Sequence, residues 1–117
     1  MTKKISKQII SFQDFDKVDI LTGTIVEASP NLKARKPAYI LKIDFGQNIG
    51  IKFSSAQITN YSIEELVNKQ IVAVCNFERK NIAGVESEVL VLGSINDDGT
   101  VILLKPDTIV KNGSRVA

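Results

Sequence analysis

Histidine and tryptophan are absent from this 117-residue chain, and cysteine and methionine occur once each. Without histidine there is no Ser-His-Asp or Cys-His nucleophile arrangement and no imidazole-based metal site. The single cysteine, Cys75, lies in the apolar run Gln70 to Asn76, so no intrachain disulfide can form and no thiolate-based metal site is expected. It reads as a buried structural thiol. Neither Gly-x-x-x-x-Gly-Lys nor Gly-x-Gly-x-x-Gly occurs, which removes the usual phosphate cradles of nucleotide-dependent enzymes. No window reaches the ~18 apolar residues of a membrane span, and the basic start, Met1 to Ile10, has no apolar stretch of signal-peptide length. The expectation is a cytoplasmic protein without membrane insertion, cofactor, metal or catalytic site. Asp14, Asp16 and Asp19, like Asp97 and Asp98, read as helix-cap and turn residues rather than acid-base pairs.

What is present suits one compact domain. Apolar residues make up 44% of the chain and charged residues 24%, a globular balance, and 117 residues are too few for two ordinary domains. The net charge of +2 argues for no partner by itself, so the placement of the charges has to carry any electrostatic case.

Residues 1–11 read as an arm, with Ile5, Ile9 and Ile10 at helical spacing, ahead of a domain over 12–117. Ser11 with Asp14 predicts a short capped helix on which Phe12 and Phe15 share a face. Val18 to Glu27 is rich in β-branched residues and carries an interior glycine, Gly23, the mark of a bulge or sharp bend in a strand. Tyr39 to Phe45 and Ile49 to Ser54 predict a hairpin across Gly46-Gln47-Asn48. Ile49, Ile51 and Phe53 alternate there with Gly50, Lys52 and Ser54, a pattern that assigns the apolar set to the core. Ser62 to Lys69 predicts a short helix with Ser62 and Glu65 as a capping box, placed to plug one end of a barrel. Strands return at Gln70 to Phe77, Glu88 to Gly93 and Thr100 to Leu104, the last two joined through Asn96 to Gly99. The tail from Lys105 to Ala117 is turn-rich. This order describes a mainly all-β protein: an OB-fold, a five-stranded Greek-key barrel with a short helix between strands 3 and 4 and a short N-terminal helical segment.

The binding candidates cluster at predicted loops and strand ends. Lys33, Arg35, Lys36 and Lys42 form a run without an acid between Glu27 and Asp44. In an OB barrel the loop between strands 1 and 2 borders the oligonucleotide face, where such side chains neutralise phosphates. Lys52 is a further cation on strand 3, and Arg79 and Lys80 follow strand 4, where Asn81 to Gly84 turns the chain. Ser54, Ser55 and Gln57 supply hydrogen-bonding groups at the end of strand 3, and Ser87 does so ahead of the next apolar strand. Each hydroxyl also has a plain alternative, the satisfaction of a nearby backbone group. Phe53 and Leu90 are the candidates for contact with apolar side chains of a peptide.

Phe12 to Ile25, Ser62 to Lys69 and Gly84 to Gly93 resemble the motifs of the tRNA-binding domain, which occurs as a free-standing dimer and as an extension of methionyl- and tyrosyl-tRNA synthetases. Within that family, Ala34-Arg35-Lys36-Pro37-Ala38, Ile43-Asp44-Phe45-Gly46, Ser54 to Thr59 and Ser87 to Gly93 are most similar to the CsaA-type chaperones. The resemblance covers roughly residues 12 to 115. It implies an OB barrel, a homodimer, no catalysis, tRNA binding, and a role with unfolded or exported polypeptides. Two motifs differ from the wider family: its Ser-x-Gly-Met is Ser87-Glu88-Val89-Leu90 here, and its Ser-Gly after strand 3 is Ser55-Ala56.

Three functions therefore compete: a non-enzymatic tRNA-binding dimer with CsaA-like activity in protein export, a polypeptide-binding chaperone without relevant tRNA binding, and an assembly module that recruits another protein.

Overall fold

The computed structural model describes residues 7–117. The elements in chain order are α1 (Phe12–Asp16), β1 (Ile20–Pro30), β2 (Tyr39–Asp44), β3 (Ile51–Ala56), α2 (Ile63–Leu66) and β4 (Gln70–Val74). They are followed by β5 (Lys80–Ile82), β6 (Val85–Ser87), β7 (Leu90–Val91), β8 (Gly93–Ile95) and β9 (Val101–Leu103). Five strands form an antiparallel sheet in the order β3-β2-β1-β4-β7. The sheet curls into a nearly closed barrel, the OB-like fold read from the sequence.

Strand β1 makes the curl possible. Its first half, Ile20 to Thr24, pairs with β4, and its second half, Thr24 to Pro30, pairs with β2. The register with β2 slips between Ile25 and Glu27, so Val26 is the bulged residue and the bend lies three residues beyond Gly23. Gly23 has a different task. A Cβ there would stand 2.8 Å from Ile43 Cγ2 and from the Phe45 ring, so the glycine lets β1 lie close against the core.

Phe45, Ile25, Leu41, Ile43, Leu66 and Ile71 are fully buried at the centre. Each contributes about 1.5–3 kcal/mol by leaving water. Leu66 reaches this core from α2, which closes one end of the barrel, and the Ser62–Glu65 capping box is present in full. The backbone and hydroxyl of Ser62 hold the Glu65 carboxyl below its usual pKa. The C-terminal tail is ordered along β1: Gly113 N donates to Thr22 O, Thr22 N to Ser114 O, and Val116 N to Ile20 O. The buried Gln70 side chain fastens it, donating to Val110 O at 2.7 Å and accepting from Val110 N at 3.1 Å.

Several sequence readings are corrected. On β3, Ile51 and Phe53 are 43% and 39% exposed while Ser54 is 2% exposed, so the facing is the reverse of the apolar alternation. The reason is pairing: Leu41 and Ile43 of β2 point inward, and their partners on β3 are Ser54 and Lys52. Ile49 precedes the strand, and the long fourth strand ends at Val74. Glu88 to Gly93 splits between two short strands. Lys80–Ile82, read from sequence as loop and turn, pairs with Val85–Ser87 in a separate two-stranded ribbon across Ala83 and Gly84, both at positive φ. Ser11 caps α1 as read, with Asp14 completing a capping box, but Ile9 and Ile10 lie ahead of the helix, Ile9 fully exposed and Ile10 63% exposed. Ile5 falls outside the described residues.

Candidate nucleic-acid interface

Pro30 ends β1, and Asn31 starts the loop to β2. Asn31 N donates to Ala38 O at 2.8 Å and closes the loop at its base, while Ala34 N donates to Asn31 O at 3.2 Å. Lys33, Arg35 and Lys36 project from this loop exposed, and among the described residues none of the three takes part in an ion pair. The ribbon β5–β6 stands opposite. Between loop, ribbon and the end of β3 runs an open groove of about 530 Å³, lined by Lys33, Arg35, Lys36, Ser55, Gln57 and Ile82. Five of the residues proposed from sequence are thus brought together.

The others are placed elsewhere. Lys42 lies across the ladder from Glu27, its Nζ 3.5 Å from Oε2, so its charge is partly matched. Arg79 reaches Glu86 and Glu88, each at 3.4 Å. Lys80 borders a second, more apolar groove of about 300 Å³ with Phe77, Ile82, Ser87, Val89 and Leu90. Lys52 faces inward beside Ser54, and its charge acts on Cys75. Phe53 is outward, directly opposite Lys42.

Ser54 and Ser87 are built into the seam where the barrel closes. Ser54 Oγ donates to Val89 O at 3.0 Å, and Ser87 Oγ accepts from Ser55 N at 3.1 Å. Glu88 adds two links, its amide donating to Phe53 O at 2.8 Å and its carboxylate accepting from Phe53 N at 2.9 Å. With both serines buried, their hydroxyls satisfy backbone groups, and neither lines the basic groove, although Ser87 borders the apolar one.

Sequence reasoning missed Asn31, whose side chain is buried between the basic loop and the ribbon. The signal was there, since an asparagine just after a strand-ending proline is a turn-former that bonds the backbone two residues on. Glu88 was missed too, because a carboxylate capping a strand edge has no local sequence mark.

The groove can receive a polyanion. Three cations without an ion pair among the described residues, polar Ser55 and Gln57 on the β3 side, and no aromatic ring among the lining residues suit phosphate contacts better than base stacking. The fold is that of the oligonucleotide-barrel class.

Residues 20–115 match the family model described as "Putative tRNA binding domain". The crystal structure of the CsaA chaperone protein from Picrophilus torridus has 55% identity and a TM-score of 0.89, covering 93% of this chain and 100% of that one. That of the CsaA chaperone from Bacillus anthracis has 46% identity and a TM-score of 0.89, covering 94% and 100%. The methionine–tRNA ligase of Pyrococcus furiosus is 40% identical over 110 residues, 93% of this chain but 15% of the ligase. The chain belongs to the tRNA-binding domain family, in its CsaA-type branch. The ligases match only over this binding domain, which is not their catalytic part.

Proposed function

We propose that the protein is a non-enzymatic, homodimeric tRNA-binding module with CsaA-like chaperone activity in protein export, working in the cytoplasm. The binding domain spans residues 12–117, behind an arm at 1–11. One observation carries the tRNA reading: Lys33, Arg35 and Lys36, without an ion pair among the described residues, line one rim of a groove beside β3, the position at which OB barrels hold nucleic acid. The groove meets folded RNA through phosphates and shape, with Ser55 and Gln57 available to sugar hydroxyls.

A polypeptide-binding role has its own support in the apolar groove along the ribbon, where Phe77 and Leu90 are 57% and 50% exposed. Phe53 adds apolar area on the outer face. Dimerisation is supported by a separate set of exposed apolar side chains on and after the β8–β9 hairpin: Ile95, Ile102, Leu104 and Ile109. A stable dimer needs roughly 1,200 Å² of buried surface in total.

The test is a pair of titrations, with tRNA and with an unfolded polypeptide, across a salt series. A phosphate-dominated complex weakens steeply as salt rises, and an apolar one does not. Steep dependence for tRNA with shallow dependence for polypeptide supports both roles. No saturable tRNA binding at low salt overturns the first. A light-scattering mass at micromolar concentration equal to the 12.8 kDa chain rather than twice it overturns the dimer.

A further inference from the structure

Asn31 is 7% exposed and makes contacts in two directions. Its Oδ1 accepts from Lys33 N at 3.2 Å, which shapes the start of the basic loop. Its Nδ2 donates to Ile82 O at 3.4 Å, across 51 residues of chain, which ties that loop to the ribbon on the far side of the groove. A second contact reinforces the tie. The methylene stem of Lys33 passes over Gly84, where an added Cβ would stand 3.5 Å from Lys33 Cδ, and Gly84 holds φ +83 at the ribbon's turn.

We infer that Asn31 is the positioning residue that fixes the spacing between basic loop and ribbon, and thereby selects a folded RNA over a flexible strand of equal charge. The physical argument turns on which partner adapts. Phosphates of a folded RNA helix have a set spacing, so cations on a loose loop would have to be ordered at the cost of affinity. A single strand bends to meet cations wherever they are, and gains little from a rigid loop. A tether across the groove therefore improves binding to the rigid partner far more than to the flexible one. Asn31 itself carries no charge and touches no ligand in this scheme; it acts through Lys33, Arg35 and Lys36.

The inference rests on the groove being the tRNA surface, and the experiment separates the two. Affinities for tRNA and for a polyuridylate of matched length are measured on the wild type, Asn31→Ser, Asn31→Ala and an Arg35→Glu/Lys36→Glu double variant. Serine keeps an oxygen that can accept from Lys33 N but is too short to reach Ile82 O. Asn31→Ser and Asn31→Ala are expected to weaken tRNA by about tenfold and polyuridylate by less than about twofold, with the salt slope for tRNA unchanged because no phosphate contact is lost. Partial unfolding would lower both affinities by the same factor, so the ratio reports positioning alone. An unchanged ratio, with the double variant still weakened for tRNA, overturns the role of Asn31 and leaves the groove standing. Undiminished tRNA affinity in the double variant overturns the groove and the inference together.

Discussion

The hydroxyl of Ser87 accepts a hydrogen bond from the amide of Ser55 at 3.1 Å, and so joins the ribbon to the edge of β3 where the barrel closes. Replacing Ser87 by alanine leaves a partly buried N–H without its partner, a loss of about 1–3 kcal/mol. Ser87→Ala is therefore expected to lower the midpoint of denaturant unfolding while tRNA affinity of the folded protein stays within about twofold of wild type. A selective loss of tRNA affinity at unchanged stability would place the hydroxyl on the ligand instead of in the seam.

Gly23→Ala tests the close approach of β1 to the core. The added methyl group would meet Ile43 Cγ2 and the Phe45 ring at 2.8 Å, and both side chains are fully buried with no room to retreat. Overpacking of this kind costs about 1–3 kcal/mol. The same exchange at Gly50 or Gly99 meets nothing within 4 Å, and its cost comes from the positive φ alone. Chemical denaturation of the Gly23→Ala variant checks the expectation; a stability within 0.5 kcal/mol of wild type would show that Phe45 moves freely.

The sequence made the architecture readable because its local signals agree with the fold. The Ser11 cap of α1 and the Ser62–Glu65 capping box of α2 form as read, and the order of strands around α2 is the one expected of an OB barrel. Hydrophobic alternation failed on β3, where Ile51 and Phe53 face out and Ser54 faces in. Ser54 is tolerated inside because Val89 O accepts a hydrogen bond from its hydroxyl, a partner 35 residues away that no local pattern reveals. The ribbon escaped notice because strands of three residues, Lys80–Ile82 and Val85–Ser87, are too short for a period to show. The basic loop was legible as a charge run. Its coupling to the ribbon through Asn31 was not, because that contact depends on tertiary placement.

Cys75, read from sequence as buried, is half-buried one residue beyond the end of β4 and gives a chemical check on packing there. Burial, and next the Asp19 charge, push its thiol pKa from 9.0 up to about 11. At pH 8 only about one molecule in a thousand then carries the thiolate, against about one in ten for an unperturbed group of pKa 9.0. Alkylation by iodoacetamide at pH 8 should run about 10- to 100-fold slower in the native protein than in denaturant, since the more basic thiolate recovers part of the deficit. Linkage sets the sign for stability. The native state holds the proton after the unfolded chain has released it, so this contribution is intact below pH 9.0 and declines as the pH rises toward about 11. Equal alkylation rates in native and denatured protein would show that the thiol is open to solvent.

Charge reversal on the basic loop is the decisive variant for the groove. Arg35 and Lys36 are exposed, line the groove and make no ion pair among the described residues, so Arg35→Glu/Lys36→Glu removes two cations without stranding a buried partner. Stability should change by no more than about 0.5 kcal/mol per site. If each cation meets one phosphate, tRNA affinity at moderate salt should fall at least about tenfold and the log-log salt slope should flatten by about 2. Lys42→Ala makes the internal comparison. With Glu27 already 3.5 Å from its Nζ, Lys42 has less charge to offer a phosphate, and its removal should flatten the slope by less than about 1. Equal slopes for wild type and the double variant, with unfolding unchanged, would move the RNA off this loop and leave the apolar groove of Phe77 and Leu90 as the principal binding surface.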